Sequence, residues 1–205
     1  MVMVGQYLER PALVDAGGVT LEGLYHRGSR APPLLLCPPL GQGGGMDAPP
    51  LAEMAWAAAR AGHASLRFNH RGCGASQGRS DPARALDDAE AARRHLEETS
   101  RRGRVAVAGL GSGCATALAL ARSRPEIARL VLVAPASPPV EAVGPAALAL
   151  LPELSHAAAR RDWEEAVVPA GGRVEIVPGA DVSFRVGLPL IGRRAVEWIE
   201  REGPS

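Results

Sequence analysis

Residues 105–118 read "VAVAGLGSGCATAL". A short apolar run ends at Leu110, and a small-residue segment with helical spacing begins near Gly113. A continuous apolar run of this length, bounded by turn residues, has the pattern of a strand buried on both faces. Glycines at 109, 111 and 113 compress the reversal that follows, because glycine reaches backbone conformations that a side chain resists. The stretch therefore reads as strand, tight turn and helix. This is the repeating unit of a parallel sheet covered by helices.

The same alternation extends in both directions. "ALVDAGGVTLEGLYHRG" reads as two short strands joined by a turn at Gly17 and Gly18. "PPLLLCPP" is a second buried strand, "PLAEMAWAAARAG" a helix ending on Gly62, and "HASLRFNH" a further strand. "DPARALDDAEAARRHLEETSRRG" has the pattern of an amphipathic helix capped by Asp81, with Pro82 in its first turn. After the opening stretch come the strands "IARLVLVAP", "ALALLPEL" and "RVEIVPG". The helices "RRDWEEAVV" and "LIGRRAVEWIEREG" follow the second and third of these. The expected fold class is α/β, with a doubly wound, mainly parallel sheet and one domain over residues 1–205.

Composition excludes several functions. The net charge is +1, which argues against nucleic acid or an acidic membrane surface as partner. All 23 basic residues are arginine, so neither Schiff-base chemistry nor a P-loop lysine is available. The start of the chain lacks a basic-then-apolar leader, and the longest apolar stretch, around "AALALLPEL", is too short to span a bilayer. Three cysteines without close pairing suggest a reducing compartment, and a soluble cytoplasmic protein is expected.

Three further segments carry a resemblance to a known family. "LLLCPPLGQGGGM" (34–46), "LRFNHRGCGASQG" (66–78) and "VEIVPGADVSF" (174–184) resemble the corresponding loops of small, lidless α/β-hydrolases of the dienelactone-hydrolase and acylpeptidase-like branch. The 66–78 segment is the most specific match, and together with the opening stretch the similarity spans most of the chain. The resemblance implies the α/β-hydrolase fold, no cofactor, and a nucleophile elbow of the form Gly-x-Ser-x-Gly between Gly109 and Gly113.

The catalytic positions do not carry over. The elbow's central position is Gly111, the histidine position after Gly-Ala-Asp is Val182, and the acid position aligns loosely with Ser155. Valine neither takes nor returns a proton, so general-base activation is lost together with the nucleophile. The expected function is that of a catalytically degenerate hydrolase with a binding, scaffold or regulatory role. Its pocket and oxyanion-hole positions are Leu40, Gly41, Gly111, Ser112 and Val182. A small carboxylate or carbonyl ligand, or a protein partner, is the expected occupant. Two alternatives stay open. One is an esterase or thioesterase using Ser112 with His156 and Asp181, acid and base exchanged. The other is a cyclase or isomerase using the pocket without a nucleophile.

Other residues have simpler readings. Ser112 is expected to cap the following helix. Cys37, Cys73, Cys114 and His70 follow neighbouring strands and have the chemistry of zinc ligands, but no close Cys-x-x-Cys pair supports a metal, and none is expected. Asn69 and Arg71 are expected to brace their own loop. Asp87 and Asp88, with Arg93 and Arg94 beyond, read as a solvated helix face. Trp56, Trp163 and Trp198 are expected to pack in the core or at its rim.

Overall fold

The computed structural model describes residues 8–41, 44–138, 145–156 and 159–201. Eight strands form one sheet: β1 (Arg10–Asp15), β2 (Thr20–His26), β3 (Arg30–Cys37), β4 (His63–Phe68), β5 (Ala106–Leu110), β6 (Arg129–Val133), β7 (Ala147–Pro152) and β8 (Arg173–Val177). Their spatial order is β1-β2-β4-β3-β5-β6-β7-β8. β1 and β2 form the expected hairpin, and the Asp15 carboxylate accepts the Gly17 N–H at 3.0 Å to close its turn. β2 meets β4 antiparallel, and every later pairing is parallel. The parallel crossovers carry α1 (Pro49–Arg60), α2 (Ala85–Ser100), α3 (Gly113–Ser123), α4 (Glu153–His156) and α5 (Arg160–Val167), and α6 (Leu188–Ile199) closes the fold.

The period-two alternation of strand side chains divides the core in two. Leu35, Cys37 and Val107 face one side, where Ala92 and Leu96 of α2, Leu120 of α3 and Trp163 of α5 pack against them. Leu34, Leu36, Ala106 and Ala108 face the other, covered by Leu51 and Met54 of α1 and Ile191 and Trp198 of α6. Each fully buried leucine of this kind contributes about 2 kcal/mol by leaving water. Two of the three tryptophans sit in this core, and Trp56 lies at the rim under the Arg60 guanidinium.

Two local readings change. The helix after Asp81 opens with a separate 3-10 turn, Pro82–Arg84. The Asp81 carboxylate caps that turn through the Ala83 N–H at 3.0 Å. Asp88 is not on a solvated face but fully buried. It accepts from the Arg71 N–H and Nε at 3.0 and 2.8 Å, and its Oδ2 lies 3.4 Å from His70 Nδ1. Burial pushes its carboxyl up, but the adjacent His70 ring and the hydrogen bonds from Arg71 outweigh burial and hold it below the ordinary aspartate value. Arg93 is also buried, between Glu90 and Glu97. Asp87 keeps the expected exposed position, paired with Arg84.

Candidate functional site

The site lies at the carboxyl ends of the parallel strands, where β5 turns into α3. Side chains are excluded at both ends of the turn by close approach. A Cβ at Gly109 would stand 2.7 Å from the Cys114 Cα, and one at Gly113 would strike the carbonyl oxygens of Cys37 and Pro38. These two glycines let α3 press against the ends of β5 and β3. Gly111 is different. Its φ is +55°, in the left-handed region, and no atom lies within 4 Å of where its Cβ would be. The turn thus keeps the strained backbone of an elbow and open space above it, but presents only hydrogen at the apex. The Gly111 N–H is held by the Val133 carbonyl at 2.9 Å.

Ser112 does not cap α3. Its backbone is αR rather than extended, and no side-chain cap bond forms. The donors it would satisfy are already used by tight i→i+3 bonds, from the Cys114 N–H to Gly111 O and from the Ala115 N–H to Ser112 O, both at 3.1 Å. Its Oγ instead accepts the Leu40 N–H at 2.8 Å, across 72 residues of sequence. Leu40 precedes Gly41, whose φ of +90° turns the β3–α1 loop away. Further along, this loop is anchored by the Asn69 side-chain oxygen on the Met46 N–H and by Arg67 on the Met46 carbonyl, both at 2.8 Å. Asn69 and Arg71 do not pair within their own loop: Asn69 holds Met46 and Glu22, and Arg71 holds Asp88 of α2. Arg67, buried and also bidentate to Glu9, is a hub that sequence reading missed.

Val182 is 56 % exposed in the β8–α6 loop. Asp181 accepts from the Ser183 hydroxyl at 2.6 Å and the Ser183 N–H at 2.9 Å, so its carboxylate serves its own turn. The Ser183 hydroxyl bond is the main cause of its lowered pKa. The side chains of His156 and Ser155 lie outside the described residues. The β7 and β8 loops are joined next to them by the Gly179 N–H on Glu153 Oε2 at 2.8 Å and the Leu154 N–H on the Ala180 carbonyl at 3.0 Å.

Cys37 and Cys114 are buried at the elbow, and Cys114 contributes to the lining of the cleft there. Burial pushes the Cys37 thiol up to about 12 and raises Cys114 as well, so both are inert thiols at neutral pH. His70 packs edge-on against Phe68, with ring centroids 5.0 Å apart. Among the described residues no three His, Cys, Asp or Glu side chains converge as a metal site.

A cleft of about 220 Å³ opens at the elbow, lined by Gly111, Ser112, Ala115, Leu118, Pro135 and Pro138 among others. It runs along α3 and the loop after β6, not against Leu40 and Val182 as the sequence led us to expect. A larger open depression of about 550 Å³ lies at the opposite end of the sheet, by Tyr25, Ser29 and Ser100, away from the elbow. Among the described residues no helix is long and apolar enough to cross a membrane.

Known proteins place this architecture. The model of the serine aminopeptidase S33 family matches residues 41–169. No curated protein matches the chain. Solved structures of the same fold include an alpha-beta serine hydrolase homologue from Coxiella burnetii. It is 22% identical with a TM-score of 0.79, over 96% of this chain and 98% of that one. A serine hydrolase without a lid from Xanthomonas campestris is 21% identical with a TM-score of 0.77, over 92% of this chain and 94% of that one. A dienelactone hydrolase from Anabaena variabilis is 23% identical with a TM-score of 0.75, over 94% and 97%. With its eight-stranded sheet and its strand–glycine–helix elbow, the chain belongs to the serine aminopeptidase S33 family of the α/β-hydrolase superfamily.

Proposed function

We propose that this chain is a catalytically degenerate member of its family, which binds a ligand or partner at the crevice instead of hydrolysing it. The carrying observation is the apex of the elbow. Gly111 holds the left-handed conformation that a nucleophile would need, with free space above it, and has no oxygen to offer. Hydrolysis through an acyl-enzyme needs a nucleophile, a base within hydrogen-bond reach and a group that orients the base. Val182 supplies no base. Asp181 is engaged by Ser183, and the Ser112 hydroxyl oxygen is engaged by Leu40.

What the crevice retains supports binding. Ser112 and Gly113 open α3, where the Cys114 and Ala115 N–H groups are already bonded within the turn. The positive end of the helix dipole lies behind them. Beside them the cleft is walled by Ala115, Leu118, Pro135 and Pro138, with Arg122 lining it as well. A ligand with one oxygen-bearing group and a small apolar body fits this combination.

The test is chemical. Purified protein should leave p-nitrophenyl acetate and butyrate at the background rate and remain unlabelled by a fluorophosphonate probe. Stoichiometric labelling of Ser112, lost together with turnover in His156→Ala, would establish the exchanged-triad esterase in place of the binding role.

A further inference from the structure

We propose that the depression at the far end of the sheet from the elbow is a second ligand site, which takes a soluble phosphate monoester through Arg10, Arg27 and Tyr25. It is independent of the role argued for the crevice. The depression measures about 550 Å³ and is lined from the start of β1, the end of β2 and the loop after it, and the last residues of α2. Arg10 and Tyr25 are direct partners across the antiparallel β1–β2 pair, so their side chains share one face. Arg27 stands two residues beyond Tyr25 and lines the same depression. Among the described residues neither arginine has an ion-pair or hydrogen-bond partner, and no acidic side chain is part of the lining. Two uncompensated positive charges therefore border one open volume.

Tyr25 is the second observation that points to a ligand. It is only 8 % exposed and lines the depression, yet its hydroxyl has no hydrogen-bond partner among the described residues. A buried phenol ordinarily finds one. Burial pushes the Tyr25 phenol up, against the opposing charge of Arg27, so at neutral pH it keeps its proton and can donate. The loop beside it is fixed in advance. A Cβ at Gly28 would stand 2.1 Å from the Ala64 nitrogen, so only glycine lets this loop lie on the start of β4. The Ser29 and Arg30 N–H groups both donate to the Gly62 carbonyl at 2.9 Å, and the Arg102 guanidinium donates to the Ser29 carbonyl. Charge then selects the ligand. A phosphate monoester carries about −1.5 to −2 at neutral pH on three acceptor oxygens, which matches two guanidinium forks and a phenol. A carboxylate would leave one arginine uncompensated. The carboxyl end of α2 opposes an anion with only about half a negative charge, less than the two arginines supply. The hydroxyls of Ser29 and Thr99 in the lining suit a polar, sugar-sized body.

The experiment is a titration of the full chain at low ionic strength with glucose 6-phosphate, glucuronate and glucose, which share a sugar body and differ at its sixth carbon. Calorimetry gives the affinity, and amide resonances give the place. Glucose 6-phosphate should bind about 10-fold more tightly than glucuronate, as one further charge-assisted contact implies, and glucose should not bind. The Ser29 and Thr99 amides should shift, and those at the elbow should not. Arg10→Ala and Arg27→Ala should each weaken binding about 10-fold, and Tyr25→Phe, which keeps the ring in the core, about 5-fold. Arg161→Ala removes the same charge from α5, at the opposite edge of the sheet, and should leave binding unchanged. Absence of glucose 6-phosphate binding in wild type overturns the proposal. So does equal affinity for glucuronate, a shift confined to the elbow amides, or a loss in Arg161→Ala equal to that in Arg27→Ala. Retention on phosphatidate-containing vesicles without binding of the sugar phosphate would assign the depression to a lipid headgroup and overturn the soluble ligand.

Discussion

Gly111 concentrates the residue-scale physics of this protein. A left-handed backbone at +55° costs a non-glycine residue about 1 kcal/mol or more, and glycine avoids this cost. Restoring serine at the apex should therefore destabilise the chain without reviving it. Gly111→Ser is expected to lower the melting temperature by about 3 °C, as follows from about 1 kcal/mol in a domain of this size. It should leave ester hydrolysis at background, because triad members act as a unit and Val182 supplies no base. Calorimetry and an ester assay check both halves. An unchanged or raised melting temperature would show that the elbow backbone is relaxed.

At the scale of the element, the decisive contact is the approach of α3 to the ends of β3 and β5. Gly113 sits against two backbone carbonyls, which cannot move aside as a flexible side chain can. Gly113→Ala is expected to cost about 3 kcal/mol, at the upper end of overpacking penalties, because α3 must lift off the sheet. Gly103 provides the control: nothing lies within 4 Å of its Cβ position, so Gly103→Ala should be near neutral. Urea unfolding of the two variants measures the difference, and comparable losses in both would remove close packing as the reason for the glycine.

Over the whole molecule, acid stability should be governed by carboxylates that bridge elements. Glu90 of α2 accepts from Arg93 at 2.8 and 2.9 Å and from Arg124, beyond the end of α3, at 2.7 and 3.1 Å. Chiefly through the Arg93 hydrogen bonds, and against the opposing effect of burial, its carboxyl is lowered from 4.5 to about 2. A carboxyl whose folded pKa is depressed stabilises the fold above its unfolded value and loses that contribution as pH falls through the folded one. Glu90→Gln should therefore melt lower than wild type at pH 6, and the gap should close between about pH 4.5 and 2. Melting curves across that range test this, and a gap independent of pH would assign the effect of the substitution to packing.

Strand, helix and loop order was legible in the chain because those signals are local. Apolar runs such as 105–110, helical spacing such as that of α1, and glycines at the turns each act within a few residues. The identities of Gly111 and Val182 were legible as well, as single residues in loops that resemble those of the family. Contacts between distant segments were not. Asp88 lies beside charged neighbours on its helix and reads as exposed, yet the loop carrying His70 and Arg71 folds over it and makes it a buried anchor. Ser112 has the residue type of a helix cap, but the tight first turn of α3 uses the donors it would have capped, and Leu40 arrives from a different strand's loop to claim its oxygen. The cleft likewise follows α3 and the loop after β6, since its direction depends on how Pro135–Pro138 pack beside Leu118. Local periodicity and turn residues determined the architecture. Long-range packing, which has no local signature, decided which polar groups of the site remain free to meet a ligand.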